Sequence, residues 1–316
     1  MNRHIILGAE ALDPHDKGQT LMPGKKDDGK GRAETRPRPG HVPVFRQGQV
    51  LPAQPITLDQ KTGREILPPS LSLATLNPAR IWESITLAMP EPGLLARNGL
   101  FSEIEHHPAA PAFDILRTRV VQAMARNGWT RLAVTSPTRG CGKSLVAANL
   151  ALALARLPSC RTVLVDLDLR EPDLADRFGL EGIGPLVDYL RGEQPMESHF
   201  RRIGSNLALA LNGAPVARAA ELIQDPEFAM ALGAVAELLQ PDIVIFDTPP
   251  VLPSDEVISL TGQVDAVLLV VDGTQSTAQE IKAAEDLLEG QFPLLGVVMN
   301  RAQDRALTRS MPRRRQ

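Results

Sequence analysis

The sequence has few cysteines and no long apolar run, and each shortage excludes a class of protein. Its two cysteines, Cys141 and Cys160, cannot form a disulfide framework, so a reducing compartment is expected. The longest apolar run, around residues 147–157, contains polar residues and falls short of the roughly 20 residues that a membrane helix needs. No apolar core follows Met1, as a secretory signal would require. We therefore expect a cytoplasmic protein.

An excess of positive charge and a supply of aromatic residues are also missing. Lys and Arg total 34 against 37 Asp and Glu, a formal net charge of -3. DNA-wrapping and polybasic membrane proteins gain affinity from excess positive charge, so this balance argues against nucleic acid as a partner. Aromatic residues make up 3% of the chain, and Tyr189 is its single tyrosine. Tyrosine chemistry on this sequence itself is thus restricted to one position.

Proline divides the chain into unequal parts. Of the 27 prolines, 14 lie at or before Pro111. A segment so rich in charges and helix breakers cannot bury enough apolar surface to offset an ordering entropy of roughly 1–2 kcal/mol per residue. We predict a mostly disordered N-terminal segment over residues 1–108, a folded domain over 109–304 and a basic tail over 305–316. Residues 80–87 favour one short amphipathic helix, read either as a docking peptide or as a transient helix in a linker.

The pattern within residues 109–304 is typical of a parallel sheet covered by helices. Continuous apolar runs read as strands buried on both faces, and helical segments alternate with them. One of these helices opens with Ser276 and Gln279 at capping-box spacing. The prediction is a doubly wound α/β domain with a mainly parallel sheet in three layers, α/β/α. The predicted strands are residues 132–135, 162–165, 243–246, 266–271 and 295–299.

The turn after the first predicted strand has the composition of a phosphate-binding loop. Gly-Cys-Gly-Lys-Ser at 140–144 lets backbone N–H groups crowd phosphate oxygens, and the following helix adds a partial positive charge. In such a loop Lys143 reaches the β- and γ-phosphates, and the Ser144 hydroxyl ligates Mg²⁺. Pro137 stands where the general Walker pattern has its first glycine. Arg139 either touches the γ-phosphate or is an exposed loop charge.

Acidic residues end two other predicted strands. Asp166 and Asp168 lie two residues apart, and Asp247 follows the next long apolar run. Ligands bind at the carboxyl edge of open α/β sheets, so these acids are either solvated strand ends or part of a metal site. One acid would ligate Mg²⁺ or its water, and another would accept a proton from an attacking hydroxyl. Asn300, after the fifth strand, either hydrogen-bonds a purine ring or is a turn residue.

These motifs resemble those of one family. Gly-Cys-Gly-Lys-Ser at 140–144, Asp-Leu-Asp-Leu-Arg at 166–170 and Asp-Thr-Pro-Pro at 247–250 resemble the P-loop, Walker A′ and Walker B motifs of bacterial tyrosine kinases. These are the CpsD/CapB-type P-loop ATPases of capsule and exopolysaccharide synthesis, and the similarity covers residues 112–301. The resemblance implies an ATP- and Mg²⁺-dependent protein-tyrosine kinase or ATPase.

The resemblance also assigns roles. The catalytic residues it implies are Lys143, Asp166, Asp168 and Asp247. The metal ligands are Ser144, Asp168 and Asp247. From the loop and strand-end residues themselves, together with the resemblance, the predicted nucleotide-binding residues are Arg139, Gly140, Cys141, Gly142, Lys143, Ser144, Leu145 and Asn300. It further implies exopolysaccharide polymerisation and export as the process served.

The sequence departs from the family at three points. It ends without the usual tyrosine cluster, so phosphorylation would have to act in trans on another protein. The family's Glu-x-x-Arg-x-x-Arg helix reads Pro111, Asp114 and Arg117 here, which puts the expected homo-oligomeric ring in doubt. A fused membrane-spanning chain-length regulator is missing, so a separate one is the expected partner, recruiting the chain to the inner face of the plasma membrane.

Two other functions remain open. The first is an organising ATPase of the MinD/ParA type, although the signature lysine of those proteins would fall at Thr138. The second is a nucleotide-gated regulatory subunit with little turnover.

Overall fold

The computed structural model describes residues 77–101 and 109–302, together with the backbone of residues 4–8. The disorder predicted for the rest of residues 1–108, and the basic tail predicted for 305–316, lie outside the described residues.

One mainly parallel sheet organises the chain. Its order is β1-β9-β8-β3-β7-β4-β6-β5-β2, and the ladder from β9 to β6 is parallel throughout. β1 and β5 pair antiparallel with β9 and β6, and β2 extends β5 in parallel at the far edge. This confirms the doubly wound fold. The strands are β1 (His4–Gly8), β2 (Thr86–Leu87), β3 (Arg131–Thr135), β4 (Thr162–Asp166), β5 (Arg201–Ile203), β6 (Leu207–Ala210), β7 (Ile243–Asp247), β8 (Ala266–Asp272) and β9 (Leu294–Ala302).

Helices cover both faces of the sheet, as the three-layer prediction requires. Side chains alternate along a strand, so Leu132 and Val134 of the first parallel strand enter one apolar core and Ala133 enters the other. The helices are α1 (Pro78–Ser84), α2 (Pro92–Arg97), α3 (Ala110–Asn127), α4 (Lys143–Ala155), α5 (Leu174–Phe178), α6 (Leu186–Leu190), α7 (Met196–His199), α8 (Ala219–Ile223), α9 (Pro226–Leu239), α10 (Glu256–Ser259) and α11 (Ala278–Leu288).

Helix α4 is enclosed by protein, which explains its composition. Every residue from Lys143 to Leu154 is buried, so the helix needs no polar face. Its one interior amide, Asn149, donates to the carbonyl oxygens of Leu145 and Gly99 and accepts from the backbone N–H of Phe101. The segment before α3 is thereby tied to the central helix.

The mostly disordered segment predicted for residues 1–108 does not extend through residues 77–101, which pack onto the domain. Trp82 of α1 is 2% exposed, and its indole Nε1 donates to the Leu239 carbonyl oxygen at 2.7 Å. Leu95 and Leu100 join one core, and Ile85 joins the other. The proline content led to a prediction of disorder because ordering the chain costs entropy. Burial of a few large side chains offsets that cost here.

The predicted capping box of α11 is shifted by one residue. Thr277 and Glu280 form it: the Thr277 hydroxyl accepts from the Glu280 N–H, and the Glu280 carboxylate accepts from the Thr277 N–H. Ser276 serves a different purpose, because its hydroxyl accepts from the N–H of Asp272 at 2.9 Å. Both serine and threonine suit the cap, so composition alone did not separate them.

None of the helices within the described residues is both long and apolar enough to cross a membrane.

Candidate nucleotide-binding site

The loop between β3 and α4 has the backbone of an anion cradle. Gly140 and Gly142 have φ angles of 79° and 90°, in the left-handed region that favours glycine. A Cβ atom on Gly142 would also lie 2.2 Å from Asn300 Nδ2. No side chain caps the start of α4, so its first N–H groups remain available to an anion.

The three predicted metal ligands converge on one cation. Lys143 Nζ lies 2.7 Å from Asp168 Oδ2 and 3.6 Å from Asp247 Oδ1, and it donates to Ser144 Oγ at 3.1 Å. Burial alone would lower the pKa of Lys143, but the charges of Asp247 and Asp168 raise it by a larger amount, so the net shift is upward. Three side-chain oxygen atoms therefore surround the positive charge of the ammonium group. Oxygen atoms are the ligands that Mg²⁺ prefers, so these residues also fit a divalent cation.

Asp166 is fully buried beside Asp247. It pairs with Asp247 across β4 and β7, and both side chains are inaccessible to solvent. Neither carboxylate oxygen of Asp166 has a hydrogen-bond partner. Burial and the charge of Asp247 hold its pKa well above the ordinary value, and burial raises the pKa of Asp247 to about 6 although Lys143 opposes this. A buried carboxylate left without partners is costly in a fold and is typical of a ligand site.

Backbone and hydroxyl contacts lock the motif loops together. The Thr135 hydroxyl donates to the Pro249 carbonyl oxygen at 2.7 Å, and the Val251 N–H donates to the Ser136 carbonyl oxygen at 2.9 Å. The N–H of Leu167, between the two Walker A′ acids, donates to the carbonyl oxygen of Asp247. Hydrogen bonds thus join the P-loop, Walker A′ and Walker B segments to one another.

Comparison with known proteins matches this same region. The protein family described as "ParA: NUBPL iron-transfer P-loop NTPase" matches residues 129–306, more than half of the chain. Tyrosine-protein kinase YwqD of Bacillus subtilis (strain 168) is 32% identical over 191 residues, which cover 60% of this chain and 79% of YwqD. The chain belongs to the bacterial tyrosine kinase family of P-loop NTPases.

Two further kinase-family comparisons agree on the extent of the match. EpsB of Ralstonia nicotianae is 32% identical over 209 residues, covering 66% of this chain. The match covers 27% of EpsB, so the chain spans about a quarter of that relative's length. The solved VpsO kinase domain matches 61% of this chain and 95% of its own, with a TM-score of 0.54 and 27% identity.

The other residues predicted to contact nucleotide in this kinase-family chain lie in or against the loop between β3 and α4, and they differ in burial and in their partners. Cys141 is buried, with its Sγ 3.6 Å from Ser276 Oγ, and Leu145 is buried in the first turn of α4. Arg139 forms an ion pair with Glu171, and both side chains are more than half exposed. Asn300 Nδ2 donates to the Cys141 carbonyl oxygen at 2.8 Å, a contact with the loop itself.

Two buried acids, Asp272 and Glu256, were missed by the sequence reasoning. Asp272 ends β8 as Asp247 ends β7, a signal that the sequence did contain. Its carboxylate accepts from Arg301 Nη1 at 2.5 Å. Glu256 is fully buried, and its Oε1 accepts from Arg170 Nε at 2.5 Å. No spacing rule connects Arg170 with Glu256, because the two lie 86 positions apart.

Proposed function

We propose that this chain is an ATP- and Mg²⁺-dependent P-loop enzyme of the bacterial tyrosine kinase type, supporting exopolysaccharide or capsule polymerisation and export. One observation carries the proposal. Ser144, Asp168 and Asp247, the ligands that the family resemblance assigns to Mg²⁺, all surround Lys143 Nζ beside the phosphate loop. The proposed chemistry is in-line transfer of a γ-phosphoryl group, and Mg²⁺, when bound, would neutralise the developing charge.

Each residue has a defined task in this proposal. The backbone N–H groups of residues 140–145 would cradle the phosphates, and Lys143 would turn from the acids to the β- and γ-phosphates. Of Asp168 and Asp166, one would orient the water bound to the metal, and the other would accept the proton of the attacking hydroxyl. The Asp168 side chain is 8% exposed and that of Asp166 is fully buried, which favours Asp168 for contact with an incoming hydroxyl.

The substrate would be another protein. Tyr189, the single tyrosine of this sequence, is 8% exposed, and its hydroxyl donates to the Ala231 carbonyl oxygen at 3.2 Å. Its ring also packs edge-on against Phe200. Burial raises the pKa of the phenol. A tyrosine held in this way cannot enter an active site without local unfolding, so phosphoryl transfer by this chain would act in trans.

The membrane partner and the location are proposed from the family resemblance alone. A separate membrane-spanning chain-length regulator would recruit the chain to the inner face of the plasma membrane. A homo-oligomer would need contacts other than the family's ring motif. Asp114 and Arg117 pair with each other at 3.1 Å, and Asp114 also pairs with Arg156, so these charges are used within the chain.

A MinD/ParA-like organising ATPase is the alternative, since the matching family carries the ParA name. The site argues against it at one position. Thr138, where the signature lysine would fall, contacts Cys141 within its own loop. A nucleotide-gated regulatory subunit with little turnover would retain the cradle and differ only in rate.

The decisive experiment is phosphate transfer from γ-labelled ATP. Purified chain is mixed with Mg²⁺ and membranes of the source organism, with Asp166→Asn and Asp168→Asn as inactive variants and Asp286→Asn, an exposed change on α11, as the matched control. We expect labelled tyrosine on a second protein, lost in both site variants and retained in the control. Free phosphate without labelled protein would select the organising ATPase, and bound ATP with neither product would select the regulatory subunit.

A further inference from the structure

The carboxyl end of β9 contacts the phosphate loop at two successive peptide groups. Arg301 Nη1 donates to the Gly140 carbonyl oxygen at 3.0 Å, and Asn300 Nδ2 donates to the Cys141 carbonyl oxygen at 2.8 Å. The loop and the strand end lie about 160 positions apart, at separations of 161 and 159 residues. Two neighbouring side chains thus hold two neighbouring carbonyl groups of the cradle.

The geometry of the peptide group gives these contacts a consequence. A trans peptide is planar, so the N–H of residue i+1 points opposite to the C=O of residue i. A hydrogen bond that fixes the Gly140 carbonyl therefore aims the Cys141 N–H to the other side, and the bond to the Cys141 carbonyl does the same for the Gly142 N–H. Both N–H groups belong to the predicted phosphate cradle.

Arg301 is itself held in place. Its Nη1 lies 2.5 Å from Asp272 Oδ2, and Asp272 is 2% exposed and pairs with Asn300 across β8 and β9. The N–H and hydroxyl of Thr274 donate to the other Asp272 oxygen, at 2.8 and 2.6 Å. Burial alone raises the pKa of Asp272, but the bonds from Thr274 and Arg301 lower it below the ordinary value, so the carboxylate stays ionised.

Backbone strain marks the same position. Arg301 has a φ of 55°, in the left-handed region that residues with a Cβ rarely adopt, and its N–H bonds to Asn300 Oδ1 at 3.0 Å. Gly273 allows the two strand ends to meet, because a Cβ there would lie 3.1 Å from Ala302 Cα. A left-handed conformation at a residue with a Cβ persists where the surrounding structure fixes it.

We propose that Arg301, anchored by Asp272, is a positioning residue that presets the phosphate cradle for nucleotide. Asn300, Arg301 and Asp272 together form what we call the brace. The inference rests on the proposed nucleotide-binding function. It assigns the guanidinium to the loop carbonyl rather than to the nucleotide, so its effect on affinity is indirect.

The test measures binding of a fluorescent ATP analogue, mant-ATP, with Mg²⁺, and the melting temperature of each variant without nucleotide. Loss of one charge-assisted hydrogen bond predicts that Arg301→Met raises Kd about tenfold. Arg301→Lys, whose single nitrogen can replace Nη1 in both contacts, should stay within about threefold of wild type. Asp272→Asn should weaken binding less and add nothing in the Arg301→Met background, because the two residues act as one unit.

The controls separate the brace from simpler explanations. Arg126→Met removes an exposed arginine at the end of α3 and should bind as wild type. Equal Kd values for wild type and Arg301→Met would overturn the brace alone. A melting temperature that falls in Arg301→Met while Kd is unchanged would assign Arg301 a purely structural role and also overturn it. Failure of the wild-type chain to bind would contradict the proposed function and, with it, the brace.

Discussion

The ammonium of Lys143 lies 2.7 Å from Asp168 Oδ2, so the lysine predicted to bind phosphate serves as counter-charge for the acids of the same site. Its contacts with Asp247 and Ser144 complete the arrangement. The lysine cannot neutralise the acids and contact a phosphate at the same time. A cation that takes its place among the acids would release it, which couples metal binding to phosphate binding.

We expect Lys143→Met to abolish ATP binding and to make the stability of the fold depend on a divalent metal ion. Without the ammonium, the acid cluster lacks its cation, and breaking a buried ion pair costs about 3–5 kcal/mol. Mg²⁺ or Mn²⁺ at millimolar concentration should then raise the melting temperature by several degrees, whereas wild type without nucleotide should respond little. Differential scanning fluorimetry with and without the metal measures this. Equal responses in the two proteins would contradict the counter-charge role.

Asp166→Asn should stabilise the nucleotide-free chain at alkaline pH. The raised pKa of Asp166 means that the folded state binds the proton more tightly than the unfolded chain does. The carboxylate therefore destabilises the fold increasingly as pH rises above the ordinary pKa of an aspartate. Removing that charge should raise the melting temperature at pH 8, at about 2–4 °C per kcal/mol.

The advantage of Asp166→Asn should shrink as pH falls, because the raised pKa lets wild-type Asp166 itself take up a proton more readily than in the unfolded chain. Asp286→Asn, which changes an exposed residue paired with Lys282, should show no such gain. A constant difference between Asp166→Asn and wild type from pH 5 to pH 8 would argue against an ionised, unpartnered carboxylate.

His199 predicts the opposite dependence on pH. Burial lowers its pKa, while its Nε2 bonds the Leu211 carbonyl oxygen at 3.0 Å. The unfolded chain therefore binds protons more readily than the folded one, so stability is lost as pH falls through about 6.5, the ordinary histidine value. His199→Gln can still donate to that carbonyl and should flatten the loss between pH 7 and pH 5.5. Unfolding in urea at each pH, compared with wild type, isolates this contribution.

Trp82 tests whether residues 77–101 belong to the domain. Truncation of a buried tryptophan to alanine costs about 3–5 kcal/mol, and Trp82→Phe should cost less because it keeps one aromatic ring, although it loses part of the buried volume and the bond to the Leu239 carbonyl. Trp129→Phe, at a half-buried position, is the matched control. Urea unfolding followed by far-ultraviolet circular dichroism gives the three values. A Trp82→Ala variant as stable as wild type would show that the segment does not support the fold.

The motifs of the candidate site could be predicted because they are local. A strand that runs into Gly-Cys-Gly-Lys-Ser and then a helix places lysine, hydroxyl and backbone donors within one turn, and acids after buried strands must reach the carboxyl edge of a parallel sheet. Lys143, Asp168 and Asp247 met there as expected. Their roles in catalysis stay predictions.

Contacts between distant parts of the chain were decided by the tertiary structure alone. Proline content indicated disorder before residue 109, but Trp82 finds its partners in α9, more than 150 positions away. The sequence left Asn300 as either a purine contact or a turn residue and gave Arg301 no role, but β9 places both against the predicted phosphate loop. Composition and period determine which segments form strands and helices, because those preferences act over a few residues. Which side chains meet across the sheet depends on how the layers pack, and no spacing in the sequence records it.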